Sequence, residues 1–534
     1  MSLAVERQLG DRIAREIYRD PDYVDDPLLA DYVQAIWGPL QAAARARGEM
    51  SPEMEERFAW GLLLIRDRSV NAFALPGGYM GVHLGLIAVV TSRDELASVL
   101  GHELSHVTQR HISRLTTQQG QQTPWVLAAM VLGALAASKS PNMANAVIAG
   151  SQAAAVQSSL NFSRDMEREA DRIGYNVMTQ AGYQPQAFVS MFEKLQQASR
   201  LNDNGAYPYL RSHPLTSQRI ADMQLRVSSE AAAKLPVQPV LSPVLSASQT
   251  TAANAPQLSA DLTHSMMAAR ARILSDPGVD ALRTWATEAD DSAGSRSAAA
   301  GTTPSAAQLS PQARQVGALY GAVLASLKLR EFAQAQRLLV RLQNTVRFDA
   351  NATRLARLLT VEVALQAGDL ALAESHLNLA ATDRAELFLL AQVAVLQHKK
   401  ALERLANGAV VRSINPSGAR IADRTTTLLA EVLPRLDAWV MAHPQDAGAW
   451  QQLANVAAAQ SLTLRALRAE AEVQAASLDF PAAVDRFKAA QDFATRSGLG
   501  GQPGDHIETS IIDTRLRQMQ ATAKDLAKER ASQR

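Results

Sequence analysis

Apolar residues at helical spacing open the chain, and Leu9–Ile17 and Leu28–Ala44 predict two amphipathic helices. Asp20-Pro21-Asp22 and Asp25-Asp26-Pro27 separate them as turn signals. The period then changes. Phe58–Ile65 and Asn71–Leu75 read as strands, Pro76-Gly77-Gly78 as a tight turn, and Tyr79–Val82 as the returning arm of a hairpin. Helical spacing resumes over Asp94–His111, where Leu96, Val99, Leu100, Leu104 and Val107 repeat. Asp94 and Glu95 lie in its first turn, where acids suit the helix dipole.

Two apolar, Ala-rich segments follow, Trp125–Ala137 and Ala144–Val156. The first is the longest apolar run and falls short of the roughly 20 residues that span a bilayer, so no transmembrane segment is expected. The pair reads either as buried helices or as a hydrophobic lid or hairpin touching a membrane surface. Composition shifts at Pro236. Pro236–Ser259 and Ala293–Pro311 are rich in Ala, Ser, Thr, Pro and Gln and read as linkers around a short helix, Ala260–Ala286.

From Val316 onward the pattern is helical and self-similar. Leu329, Phe332 and Ala335 are echoed by Leu370 and Ala373, by Trp450, Leu453 and Ala457, and by Phe480, Ala483, Phe487 and Ala490. Such units resemble tetratricopeptide repeats, in which small residues let paired helices approach and neighbouring pairs bury one another's faces. The expected organisation is a compact domain over 1–230, linkers flanking a short helix over 231–312, a helical repeat array over 313–500, and a basic helical or disordered tail over 501–534. The fold class is therefore mainly α: a first domain with a small β-sheet, then an α-solenoid of helix pairs.

The 534 residues suit about three domains or a long solenoid. The balance of 53 Lys+Arg against 52 Asp+Glu argues against a dedicated nucleic-acid binder, which would normally carry a basic stripe. The chain has no cysteine, which rules out disulfides, thiolate zinc sites, iron–sulfur clusters and a cysteine nucleophile. A metal would have to be held by histidines and carboxylates.

His102-Glu103-Leu104-Ser105-His106 supplies such a site. Spacing of i, i+4 puts both imidazoles on one helical face, within reach of one Zn²⁺, and Glu103 beside that face can take a proton from water. A catalytic zinc needs a third protein ligand. The extended pattern with Gly at 109 and His at 112 fails, since the chain has Gln109 and Ile112. His111 lies five residues beyond His106 and off the ligand face. Glu167, in Glu167-Arg168-Glu169-Ala170-Asp171, is the third candidate; it shares a face with Asp171 on an amphipathic helix carrying Ile173, Val177 and Met178. One of the two acids can bind metal while the other orients a ligand histidine, and Glu169 points elsewhere.

Gly101–Val107, Ser163–Asp171 and Asn71–Tyr79 together resemble peptidase family M48 across about residues 1–230. A fourth match is Ser212-His213-Pro214-Leu215-Thr216-Ser217-Gln218-Arg219-Ile220. The resemblance implies a zincin-like α+β domain and one Zn²⁺ per chain held by His102, His106 and Glu167. It implies Glu103 as general base, Asp171 as support for a ligand, and His213 and Arg219 at the active site. His213 would donate to the substrate oxyanion or cap the zinc at rest. Joined to a tetratricopeptide array, the layout looks like the BepA-type periplasmic peptidases and chaperones of Gram-negative bacteria. That likeness implies unfolded or misfolded protein substrates, outer-membrane assembly machinery as a partner of the array, and a periplasmic location. Met1–Arg15 carries Glu6, Arg7, Asp11 and Arg12 and no apolar h-region, so no signal peptide is expected in this chain, and a cytosolic protease is the reading that rests on that alone. A zinc-capped, weakly active chaperone or adaptor is the non-catalytic alternative.

Overall fold

Short polar caps start the first helices and apolar stripes bury them. Helix α1 (Leu3–Arg19) begins where the Ser2 hydroxyl accepts from the Val5 N–H, and it buries Leu9, Ile13, Ala14 and Ile17. Helix α2 (Pro27–Ala46) begins at Asp26, whose carboxylate accepts from the Leu29 N–H at 2.9 Å, and it buries Leu29, Val33, Ile36, Trp37 and Leu40. The computed structural model describes residues 1–118, 164–201, 207–233, 255–291, 310–408, 416–496 and 505–532. The apolar segments Trp125–Ala137 and Ala144–Val156, and most of the two expected linkers, lie outside these residues.

The first expected strand is shorter than its apolar pattern. Ser51 caps a helix, α3 (Pro52–Arg57), and Phe58 closes it, so β1 runs only over Leu62–Ile65. Strands β2 (Ala72–Leu75) and β3 (Tyr79–His83) form the expected antiparallel hairpin, while β1 lies parallel to β3, giving the order β1-β3-β2. The turn Pro76–Gly78 holds Gly77 at φ 74° and Gly78 at φ 85°, a region that favours glycine. Because β3 is paired on both sides, β2 is an edge strand and its neighbour β3 is not.

Helix α4 (Leu84–Val89) leads into α5 (Arg93–Thr108), capped by Ser92 on the Glu95 N–H. The sequence pattern carries α5 on to His111. The helix instead stops at Thr108, because Arg110 adopts φ 54° and a new helix, α6 (His111–Gln118), starts beyond it. Helix α5 packs against β2, α2, and the helices Arg164–Gln180 and Gln186–Leu201. At its crossing with Arg164–Gln180, a Cβ on Gly174 would lie 2.9 Å from the Gly101 carbonyl and the His102 nitrogen. Backbone-to-backbone contact there brings the Glu167 helix down onto the HExxH helix.

The chain divides into two compact units, Met1–Ala356 and Arg357–Arg534. The first therefore continues past residue 230. Helix Ala255–Leu274 lies against α2 and α4. Tyr32 Oη and His264 Nδ1 are 2.6 Å apart, His264 Nε2 donates to the Val90 carbonyl at 2.8 Å, and Arg270 pairs with the Asp26 carboxylate at 2.7 Å. The second unit is helical throughout its described residues. One core gathers Leu390, Val432, Leu436, Trp450 and Leu453; another gathers Ala483, Phe487, Ala490 and Ile512. Its helices close by a recurring device. Gly368, Ser461 and Leu478 have φ of 78°, 60° and 61°, and in each case the following N–H donates five residues back, to Ala364, Ala457 and Gln474. Among the described residues no helix is long and apolar enough to cross a membrane.

Candidate metal centre

Helix α5 presents His102 and His106 one turn apart, both fully buried, with their Nε2 atoms 3.0 Å apart. Helix Arg164–Gln180 brings Glu167 across the Gly101–Gly174 contact, so that Oε2 lies 3.5 Å from His102 Nε2 and Oε1 3.5 Å from His106 Nε2. The short helix Tyr209–Ser212 ends at His213, whose Nδ1 lies 3.0 Å from Glu167 Oε1 and 3.4 Å from His102 Nε2. One ligand atom from each of His102, His106, Glu167 and His213 falls within 4.8 Å of the others.

Three observations test whether a cation fits. The cluster offers nitrogen and carboxylate oxygen, the donor set that zinc accepts. Two ring nitrogens face each other at 3.0 Å, an arrangement a shared cation satisfies well. Glu103 Oε1, beside the cluster, is buried with no hydrogen-bond partner. The site fits a metal held by His102, His106 and Glu167, with His213 close enough to join them.

Supporting contacts surround the cluster. Asp171, one turn along from Glu167, lies 2.9 Å from His102 Nδ1. Arg219, on the helix Ser217–Ala233, holds Asp171 through Nε and Nη2 at 2.6 and 2.7 Å, reaches Glu167 Oε2 with Nη1 at 2.7 Å, and donates to the Pro214 carbonyl at 2.9 Å. Bidentate arginine pairing of this kind fixes both partners. Glu103 Oε2 accepts from the Ala74 N–H at 3.1 Å, and Oε1 lies 3.4 Å from His213 Nε2. The His83 N–H donates to the Asn71 carbonyl, so alternation along β2 turns the backbone of Ala72 and Ala74 away from β3, toward Glu103.

Electrostatics follow from burial and these pairings. Burial opposes charge on His102, but its bonds to Asp171 and Glu167 lift it to about 9. Burial, with His102 adding to it, holds His106 well below the usual histidine range. Burial pushes Glu167 and Asp171 upward, yet His213 and His102 hold Glu167 well below the carboxylate range, and Arg219 lowers Asp171. Burial raises the Tyr209 phenol.

The sequence-derived residues His102, Glu103, His106, Glu167, Asp171, His213 and Arg219 thus come together in one buried site. Sequence reasoning did not find Tyr209, whose ring stacks on His213 at 4.6 Å, or the Ala74 N–H on Glu103. Backbone donors leave no mark on residue type. Tyr209 stands four residues before His213, and that spacing is the one trace of its role.

Residues 41–227 match the family model described as peptidase family M48. The chain carries an M48 peptidase domain. Beta-barrel assembly-enhancing protease of Escherichia coli K12 is 32% identical over 228 residues, covering 43% of this chain and 45% of that protein. The protein of the same name from Yersinia pestis gives the same identity and coverage. Mitochondrial metalloendopeptidase OMA1 of Arabidopsis thaliana is 33% identical over 164 residues, 31% of each chain. The chain matches less than half the length of each of these relatives.

Proposed function

We propose that this M48 domain is a zinc endopeptidase that hydrolyses peptide bonds of unfolded or misassembled proteins. The observation that carries the reading is the convergence of His102, His106 and Glu167, with Glu103 anchored beside them on the edge strand. Zinc held by those three residues would supply positive charge that polarises the scissile carbonyl and makes water reactive near neutral pH. Glu103 accepts the proton of the attacking water through Oε1, the oxygen without a hydrogen bond, while Oε2 stays on the Ala74 N–H. His213 donates to the developing oxyanion, and Arg219 steadies it through the Pro214 carbonyl. On this reading β2, as an edge strand, pairs with an extended substrate backbone. That mode binds many sequences with little side-chain selectivity, which suits unfolded segments.

The name of the bacterial relatives, beta-barrel assembly-enhancing protease, supports a role in beta-barrel assembly, and the reading places that work in the periplasm, at the outer-membrane assembly machinery. On this reading a tetratricopeptide-like array over 313–500 docks partner proteins. Glu103→Gln is expected to retain zinc and lose casein hydrolysis; a variant that still cleaves casein sinks the mechanism. A second reading rests on His213, which lies close enough to Glu167 and His102 to cap the metal at rest and leave a weakly active chaperone or adaptor. His213→Ala and the parent are compared on an unfolded substrate. If neither cuts while both prevent aggregation, the adaptor reading replaces the enzyme.

A further inference from the structure

His111 stands outside the four-residue cluster, yet it is fully buried against one member of it. Its Nδ1 lies 2.8 Å from His106 Nδ1, and its Nε2 lies 3.2 Å from Glu169 Oε2. Glu169 also accepts from Arg114 at 2.7 Å, one turn further along α6. The left-handed backbone of Arg110 makes this possible. It ends α5 and turns the chain so that the first residue of α6 folds back on His106. Arg110 is itself tied to α1 by its Nε, which donates to Glu6 Oε1 at 2.8 Å.

We propose that His111 is a positioning residue for the metal: it accepts the Nδ1 proton of His106, and Glu169 accepts the Nε2 proton of His111. The proposal rests on the zinc reading above. If His106 offers Nε2 to the metal, its proton must reside on Nδ1. His111 Nδ1 must then be bare, and its own proton lies on Nε2, facing Glu169. One arrangement of protons satisfies every atom in the chain Arg114, Glu169, His111, His106. It fixes the tautomer and the ring angle of a ligand, and such support commonly changes metal affinity by roughly 10- to 100-fold. His102 receives the same service from Asp171 and Arg219, so each ligand histidine has its own acceptor.

The test measures zinc affinity of the full chain by competition with a chromophoric chelator. His111→Phe keeps the ring volume and removes the acceptor, and its affinity is expected to fall by roughly 10- to 100-fold. His111→Asn returns an acceptor near the Nδ1 position and is expected to recover most of that loss. Glu169→Leu, at a partly exposed position that spares the core, removes the acceptor of the His111 Nε2 proton and is expected to weaken zinc several-fold. His111→Phe binding zinc as tightly as the parent overturns the proposal, and so does His111→Asn no better than His111→Phe at equal thermal stability. If His111→Phe does not fold, Glu169→Leu decides: parent-like affinity there overturns the proposal. A parent chain that binds no zinc overturns the zinc reading itself, whereas a parent that binds beside unaffected variants removes only the role of His111.

Discussion

The first unit gathers buried charge at one point, beside separate pairs such as Asp26–Arg270, whereas the buried carboxylates described in the second unit occur only in separate pairs. In Met1–Ala356, His102, Glu103, His106, His111, Glu167, Asp171, His213 and Arg219 are all buried around one point. In Arg357–Arg534, the buried ionisable residues among those described are Glu386 and Glu472, and each meets an arginine of its own. Glu386 pairs with Arg357 and also accepts from the Asn378 N–H at 2.6 Å; Glu472 takes Arg515 Nε at 2.7 Å. Those pairs pin one helix to another, and their arginines keep about a third of their side chains in water. Isolated clamps of this kind add order at small cost. A convergent cluster opposes folding through desolvation and is compensated only when every member has a partner. Where charge is gathered in spite of that penalty, chemistry is the physical reason to look for.

The largest expected effect separates the two kinds of burial directly. Asp171→Leu leaves the buried Arg219 charge with Glu167 as its one remaining carboxylate partner among the described contacts, and should destabilise the first unit by about 3 kcal/mol. Glu386→Leu frees an arginine that can turn to solvent, and should cost the second unit about 1 kcal/mol. Hydrogen exchange on the full chain resolves the units peptide by peptide. Equal losses of protection in the two variants would break the comparison.

The pH response sharpens it. The folded value of His102 stands at about 9, above its unfolded value, so its pairing with Asp171 and Glu167 stabilises fully below about pH 6.5 and is lost as pH rises through about 9. The folded value of Asp171 is depressed, so its contribution is present above about pH 4 and lost as pH falls below that. With zinc chelated, protection in α5 should therefore decline from pH 6.5 to 9.5 after correction for intrinsic exchange. Constant protection across that window would remove the assigned coupling.

Much of this arrangement is legible in the residues, and what is not has physical causes. Spacing alone places His102 with His106 and Glu167 with Asp171, since a helix converts i, i+4 into a shared face. Pro76-Gly77-Gly78 announces its hairpin because positive φ favours glycine. Arg110 announces nothing: it carries φ 54° without being glycine, so the apolar pattern runs α5 through to His111 and hides the turn that aims it. Glu169 lies away from the cluster, as its spacing from Glu167 implies, but its place against His111 depends on α6 and not on its own helix. The segment Ala260–Ala286 reads as one short helix between linkers, whereas the structure has helices Ala255–Leu274 and Val279–Asp291; the Tyr32–His264 and Asp26–Arg270 contacts that tie the first of these to α2 join positions more than 200 apart, where no local pattern reaches.

A smaller effect comes from the helix crossing. Gly174→Ala puts a methyl into the Gly101 backbone at 2.9 Å, and overpacking of this kind costs about 1–3 kcal/mol. The displacement would also draw Glu167 and Asp171 back from His102, so zinc affinity should fall together with stability, while exchange in the second unit stays as in the parent. Parent-like zinc affinity in this variant would show that the crossing does not set the site.

The smallest expected effect runs the other way. Ser461 is exposed and closes its helix at φ 60°, where an L residue is strained by about 1–2 kcal/mol. Glycine relieves that strain but gives the unfolded chain extra freedom worth roughly 0.5–1 kcal/mol, so Ser461→Gly should stabilise the second unit by about 0.5–1 kcal/mol. The same left-handed turn at Arg110 aims a histidine at a ligand, whereas at Ser461 it only reverses the chain between two packed helices. Casein turnover should therefore be unchanged in Ser461→Gly while protection in the helices Ala447–Ala459 and Thr463–Ala476 rises. Lost turnover with gained stability would mean that the second unit must flex for catalysis, and the division between a unit built for chemistry and one built for packing would no longer hold.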